Sequence, residues 1–508
     1  MWSKIVCGGL LVVVAGLMVG GCDNYADVEE TPVIRMGLVQ APSTLDPRYA
    51  TDAVSNRVCR LLYRGLVDFD DQLRPTPDLA SWQVLSPRHY RFTLNDSIPP
   101  FSDGRQLTSA DVVATYESVL REDSISPHRS GLSVIDRIEQ VDDATVDFFL
   151  ARPDALFPGR LTLSILPATS AALPRLAPDQ LIGNGAFKLV SWPAPEQVLL
   201  ERRRDGQQVE LLRVADATVR ALKLIRGEID LVQNDLPSEL IGWLRDQPGV
   251  KVEQAAGSNY SYLGFNFDDP VSGDPLIREA IALAIDRQAI IDALLGGGAR
   301  RAESVLPPDH WAGGRGIEPT EYDPQRAAEL VAMFRERGGE PTLSYKVSTD
   351  ALRLRIAAAI KQQLEAVGLT INIESHEWGT FYGDIKAGRF QLYSLAWVGI
   401  KMPDIFRYLF HSTAIPPEGA NRGRFNAAQV DQLIAQAEGA TMAEQGELYA
   451  QLQQQLADHR PYVSLWYENH TLVARRTLTG YPLSRDGNYD GLMVAQKMTM
   501  NSEGARRP

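Results

Sequence analysis

The chain has 508 residues, too many for a single hydrophobic core, so two or three domains are expected. Its 44% hydrophobic and 23% charged residues exclude a disordered polypeptide. A formal charge of −13, from 51 Lys and Arg against 64 Asp and Glu, argues against sequence-independent nucleic-acid binding, which needs clustered basic side chains.

From the N-terminus, residues 1–22 hold Lys4 and no other charged side chain, and 5–19 form an apolar run too short to span a bilayer comfortably. The run closes on Val19-Gly20-Gly21-Cys22, which resembles the bacterial lipoprotein box, where small residues admit the processing peptidase and the cysteine is acylated. The resemblance implies a signal peptide over 1–22 and a membrane anchor through lipid on Cys22. Asp23 resembles the signal that retains such proteins on the inner membrane, facing the periplasm. An acidic tether follows over 23–30. With Cys7 removed and Cys22 lipidated, Cys59 stands alone, so no intramolecular disulfide is expected and Cys59 reads as a small buried hydrophobe.

Residues 33–38 read as the first strand, Thr44-Leu45-Asp46-Pro47 as a turn, and 52–63 as a helix leading to Gly65-Leu66-Val67. Over 72–182 come short strands and one clear helix: Phe101-Ser102-Asp103-Gly104 turns, Thr108 or Ser109 caps, and the helix begins at Asp111. Residues 217–226 predict a helix stopped by Gly227 and followed by a buried strand. Glu228 and Asp230 would share one side of that strand, as an acid/base pair does, although solvated loop-edge acids are the commoner case. At 259–267, Ser261, Leu263, Phe265 and Phe267 alternate with Tyr260, Tyr262, Gly264 and Asn266, a strand with two different faces. Asp274-Pro275 starts a helix whose Ile277, Ile281, Ala284, Gln288, Ile291 and Leu295 share one face, with Arg278 and Arg287 off it, up to a stop at Gly296. Beyond it, 342–347 and 370–374 read as strands around a helix at 351–367. Helices are predicted at 322–330, 426–438 and 443–458, and late strands at 461–466 and 471–473. Such alternation predicts an α/β fold with a mostly parallel sheet covered on both faces.

Phe265-Asn266, Arg278, Ala280-Ile281 and Ala284-Ile285-Asp286-Arg287 resemble the centre of the family 5 extracellular solute-binding proteins, the peptide-binding components of bacterial ABC importers. Leu45-Asp46-Pro47, Tyr63-Arg64-Gly65-Leu66 and Gly183-Asn184-Gly185-Ala186-Phe187 fit the same family, and Phe101, Asp103-Gly104, Leu107-Thr108 and Asp111-Val112-Val113 fit it most specifically. The resemblance implies a two-lobed periplasmic-binding-protein fold of class II in its large, three-domain form, hinged on two crossing strands. Domain I would comprise 31–69, 183–258 and 480–508, domain II 70–182, and domain III 259–479. It further implies a monomer that passes peptides or peptide-like solutes to a permease and ATPase. Within the same family the cargo could instead be a metal chelate, glycoside or opine, and a lipoprotein that senses or hydrolyses its ligand is the reading from another class.

The strand over 390–399 ends in a glycine loop, where binding groups gather. Trp397 and Gly399 are ligand-site candidates there. In the peptide binders that the chain resembles, an aspartate three residues after the tryptophan pairs with the peptide amine; here that position is Ile400, followed by Lys401, and the first acid is Asp404. Asp404 could take over the amine, or the ligand offers none. Asn421 and Arg422 lie in the loop 416–425, where an arginine could fork onto a carboxylate. Tyr260 and Asn266 complete the candidates. The seven histidines show no zinc-ligand spacing, and no nucleophile elbow or phosphate loop occurs, so no catalytic residue, metal or cofactor is expected.

Overall fold

The computed structural model describes residues 32–194 and 196–498; Cys22 and the rest of residues 1–31 lie outside them, as do 499–508. The organising element is the strand Val250–Phe265, 16 residues long. It pairs antiparallel with Tyr462–Arg475, from Val250 opposite Arg475 to Gly264 opposite Tyr462. At about 3.3 Å per residue, each of these strands runs some 45–50 Å. They cross from one hydrophobic cluster, where Leu472 and Ala474 pack with Ile34 and Met36, to another, where Leu263, Phe265 and Trp466 pack with Ile277 and Ile281. The late strands expected as two pieces are therefore one, and it returns the chain before Gly480. Its residues between 466 and 471 are not a turn because Tyr467, Glu468 and His470 stay paired to the partner strand.

Around this pair, 11 strands form one mixed sheet. Parallel pairing occurs where Ile34–Leu38 lies between Gln208–Arg213 and Leu231–Gln233, and where Thr342–Ser348 lies between Thr370–His376 and Leu392–Trp397. The α/β class holds, but the sheet is not mostly parallel: the two crossing strands impose antiparallel pairing at the centre, and Phe187–Ala194 and Gln197–Arg202 form a hairpin edge. A separate four-stranded antiparallel sheet packs against the helix Ser109–Leu120. Asp111 anchors that helix by accepting from Thr108 N–H at 2.9 Å and from Ala168 N–H at 2.8 Å, and Phe101, Leu107 and Val112 sit in the core below it.

Two other expectations give way to local chemistry. The helix predicted through Leu295 breaks in two, Pro275–Ala284 and Arg287–Leu295, because Ile285 is extended and Asp286 caps Ala289 N–H at 2.9 Å. Arg278 and Arg287 are buried rather than turned outward: Arg278 lies over the Phe267 ring at 4.3 Å, and Arg287 pairs with Glu303 at 2.8 Å. Asp230 is likewise a buried acid and not a solvated one, taking Arg35 N–H at 2.8 Å and Lys497 at 2.9 Å. Cys59 is buried among apolar side chains. Residues 478–495 pack against the sheet of the first strand, where Arg202 donates to the carbonyls of Leu492 and Ala495 at 2.9 and 2.8 Å.

Candidate functional site

A cavity of about 1270 Å³ opens beside the helix Ala53–Leu62 and the loop that follows the strand Leu392–Trp397. One wall is the helix Ala53–Leu62 with Arg57 and Arg60, continued by Arg64 and Asp68; the opposite wall is the loop 398–402; Asp486 and Asp490 close it from the C-terminal segment. The helix forms because Asp52 accepts from Ser55 N–H at 2.8 Å, and Val54, Val58, Leu61 and Leu62 face the core, which leaves its arginines toward the cavity. Gly183 and Gly185 let the returning chain lie directly on the backbone of Leu61 and Leu62, where a Cβ would collide.

Charges across the cavity are arranged in pairs. Arg60 holds Asp68 at 2.7 Å and Asp490 at 2.9 Å; burial disfavours its charge, yet the two carboxylates outweigh burial and keep it ionised. Lys401 reaches Asp486 at 2.7 Å, joining the loop after the strand Leu392–Trp397 to the C-terminal segment. Burial pushes the Asp486 carboxyl upward, but Lys401 and hydrogen bonds from Ser484 and Asn488 hold it well below the usual carboxylate range. Two buried histidines fix the backbone beside these groups. His310 accepts Ala312 N–H on Nδ1 at 2.9 Å, so its Nε2–H donates to the Lys401 carbonyl at 3.0 Å; burial pushes it down to about 4, and the ring is neutral. His470 meets the Arg485 carbonyl through Nε2 at 3.0 Å.

The candidates from sequence fall into three places. Gly399, with φ +72°, lines the cavity beside Val398 and Lys401, and only glycine adopts that turn without strain. Trp397 ends its strand opposite Tyr260; its ring lies under the Arg422 guanidinium at 4.8 Å, and its buried Nε1 has no hydrogen-bond partner. Asp404 lines a smaller cavity of about 300 Å³ and pairs with Arg160 at 3.0 Å, while Arg160 also holds Asp154 at 2.7 Å. Arg422, Asn421, Tyr260 and Asn266 are buried in structural contacts. Arg422 donates to Tyr262 Oη at 2.8 Å, Asn421 folds its loop onto Phe425, Tyr260 bonds Ser464 at 2.7 Å, and Asn266 donates to the Phe390 carbonyl at 2.9 Å. Ile400 is buried in a hydrophobic cluster with Phe406. Sequence reasoning missed Arg57, Arg60, Asp486 and Asp490; Lys401 beside Ile400 was the one local signal.

The Cys59 thiol borders the cavity, but burial pushes its pKa up, so it is no nucleophile. Among the described residues no three His, Cys, Asp or Glu side chains form a metal cluster, and no helix is long and apolar enough to cross a membrane.

Fold and cavity together define a protein that binds a solute. The model of the bacterial extracellular solute-binding proteins, family 5 (middle), matches residues 74–416, and the chain belongs to that family, whose members are binding proteins of transporters and not enzymes. Among its relatives is the peptide transport periplasmic protein SapA of Salmonella typhimurium, 30% identical over 410 residues, covering 72% of this chain and 74% of that protein. Among solved structures, HbpA2 from Haemophilus parasuis superposes with TM-score 0.81 at 21% identity, covering 92% and 100%. The periplasmic binding protein DppA from Helicobacter pylori, in complex with the peptide STSA, gives 0.73 at 24%, covering 92% and 98%.

Proposed function

We propose that this protein captures peptides or peptide-like solutes in the 1270 Å³ cavity and delivers them to an ABC permease with its ATPase, anchored on the periplasmic face of the membrane through lipid on Cys22. It acts as a monomer, with the domain limits given by the sequence. The observation that carries the reading is the cavity itself, placed between the 53–64 wall and the loop 398–402. Its volume exceeds the roughly 300–1000 Å³ of drug-sized sites and suits an oligopeptide. Closure about the two crossing strands favours ligand only through contacts made when both walls are engaged, and a lipid tether raises the local concentration near the permease. The test is native mass spectrometry of the purified chain followed by a thermal-shift panel of peptides. A copurified solute of peptide mass and stabilisation by peptides support the reading; stabilisation only by metal chelates or sugars overturns it.

A further inference from the structure

The charges lining the cavity are almost all engaged with one another. The whole chain is strongly acidic, and every acid lining the cavity stands in an ion pair: Asp68 and Asp490 share Arg60, Asp78 meets Arg64, and Asp486 meets Lys401. Arg160 is turned to Asp154 and Asp404. That leaves Arg57. It is half-buried, lines the cavity, lies 5.4 Å from the centre of the Tyr489 ring and reaches that residue's hydroxyl, and among the described residues it forms no ion pair; Asp235 feels it through space without pairing.

Building on the function proposed above, we infer that Arg57 receives a carboxylate of the solute, and that the cavity selects anionic solutes without requiring a free amine. A guanidinium in a partly enclosed site offers two parallel N–H donors to one carboxylate. Every lining acid already faces one of the protein's own cations, and Asp486, beside the 398–402 loop, faces Lys401. A solute amine would have to share a carboxylate that already faces a cation of the protein, whereas a solute carboxylate meets in Arg57 a guanidinium that no acid holds. The cation over the Tyr489 ring would be merely structural if the wall needed it for packing, and the two roles part on substitution.

The test uses the full chain and calorimetry with the peptide STSA, its C-terminal amide and its N-acetylated form, on wild type, Arg57→Gln and Arg57→Lys. We expect wild type to bind STSA and N-acetyl-STSA alike and the amide about tenfold or more weaker, the worth of one charged hydrogen-bonded contact. Arg57→Gln should erase the acid–amide gap, and Arg57→Lys should keep part of it. An amide bound as tightly as the acid, a gap that survives in Arg57→Gln, or a loss of about tenfold on N-acetylation overturns the inference. If no peptide binds wild type, the peptide reading fails separately, and succinate decides the inference: it must raise the melting temperature of wild type and not of Arg57→Gln. Without ligand, Arg57→Gln should melt no lower than wild type; a clear drop assigns Arg57 to packing and overturns the inference.

Discussion

Replacing Lys401 by methionine removes the ammonium from the contact between the 398–402 loop and the C-terminal segment while keeping the length of the stem. The bond is 2.7 Å long and its side chains are 28% and 13% exposed, so solvent screens it only in part. A hydrogen bond to a charged group contributes about 1.5–3 kcal/mol. Asp486 keeps Asn488 Nδ2 at 2.6 Å, which places the expected loss near the lower end, at about 2 kcal/mol. Both residues line the cavity, so under the proposed closure the loss falls on closure as well as on folding, and about 2 kcal/mol shifts the bridged population some 30-fold. Dyes on cysteines placed at exposed Val84 and Tyr322, with Cys59 buried and unreactive, would report that shift by single-molecule energy transfer. The sign with pH is fixed: Asp486 is held below its unfolded value, so its contribution is complete above about pH 4 and fades as pH falls through the folded value. The double variant Lys401→Met/Asp486→Asn should recover most of the loss, since the unpaired carboxylate is then gone. A single variant identical to wild type at pH 7, or a double variant no better than the single, refutes the bridge.

Other perturbations test the frame. Asp46→Asn strips the partner from Arg48, a pair at 2.8 Å whose side chains are 1% and 2% exposed, and should lower stability by about 3–5 kcal/mol in denaturant titrations. Gly185→Ala drives a Cβ into the Leu61–Leu62 backbone and should lose about 1–3 kcal/mol in the same assay. His310, pushed down to about 4, binds fewer protons folded than unfolded, so stability should fall as pH drops from about 6.5 toward 4, by up to about 3 kcal/mol. His310→Gln should flatten that slope between those pH values, and an unchanged slope would show that other groups set it.

Local signals carried much of the architecture. Asp216 caps and Gly227 in the left-handed region stops the helix Ala217–Arg226, and Asp350 caps Ala351–Ala366; both helices are visible in order because their ends are encoded by adjacent residues. The break at Ile285 was not, because an apolar residue continues the helical stripe and only Asp286, capping Ala289, ends it. The buried Arg278 and Arg287 escape a pattern reading for the same kind of reason: their partners, the His459 carbonyl and Glu303, arrive from other elements. The cavity was the least legible part. Arg60 and Asp490 are 430 positions apart and Lys401 and Asp486 are 85 apart, so no local motif records them. Gly399 and Lys401, in the loop after Trp397, line the cavity, whereas the polar groups of Asn421 and Tyr260 are taken up by the fold's own backbone and by Ser464.

The proposed capture requires two walls that move together over a solute. Small-angle scattering of the full chain with and without saturating STSA tests it most directly. A smaller radius of gyration with the peptide, and an intermediate response in Lys401→Met, is the predicted result. An unchanged profile while calorimetry shows the same peptide bound would contradict it.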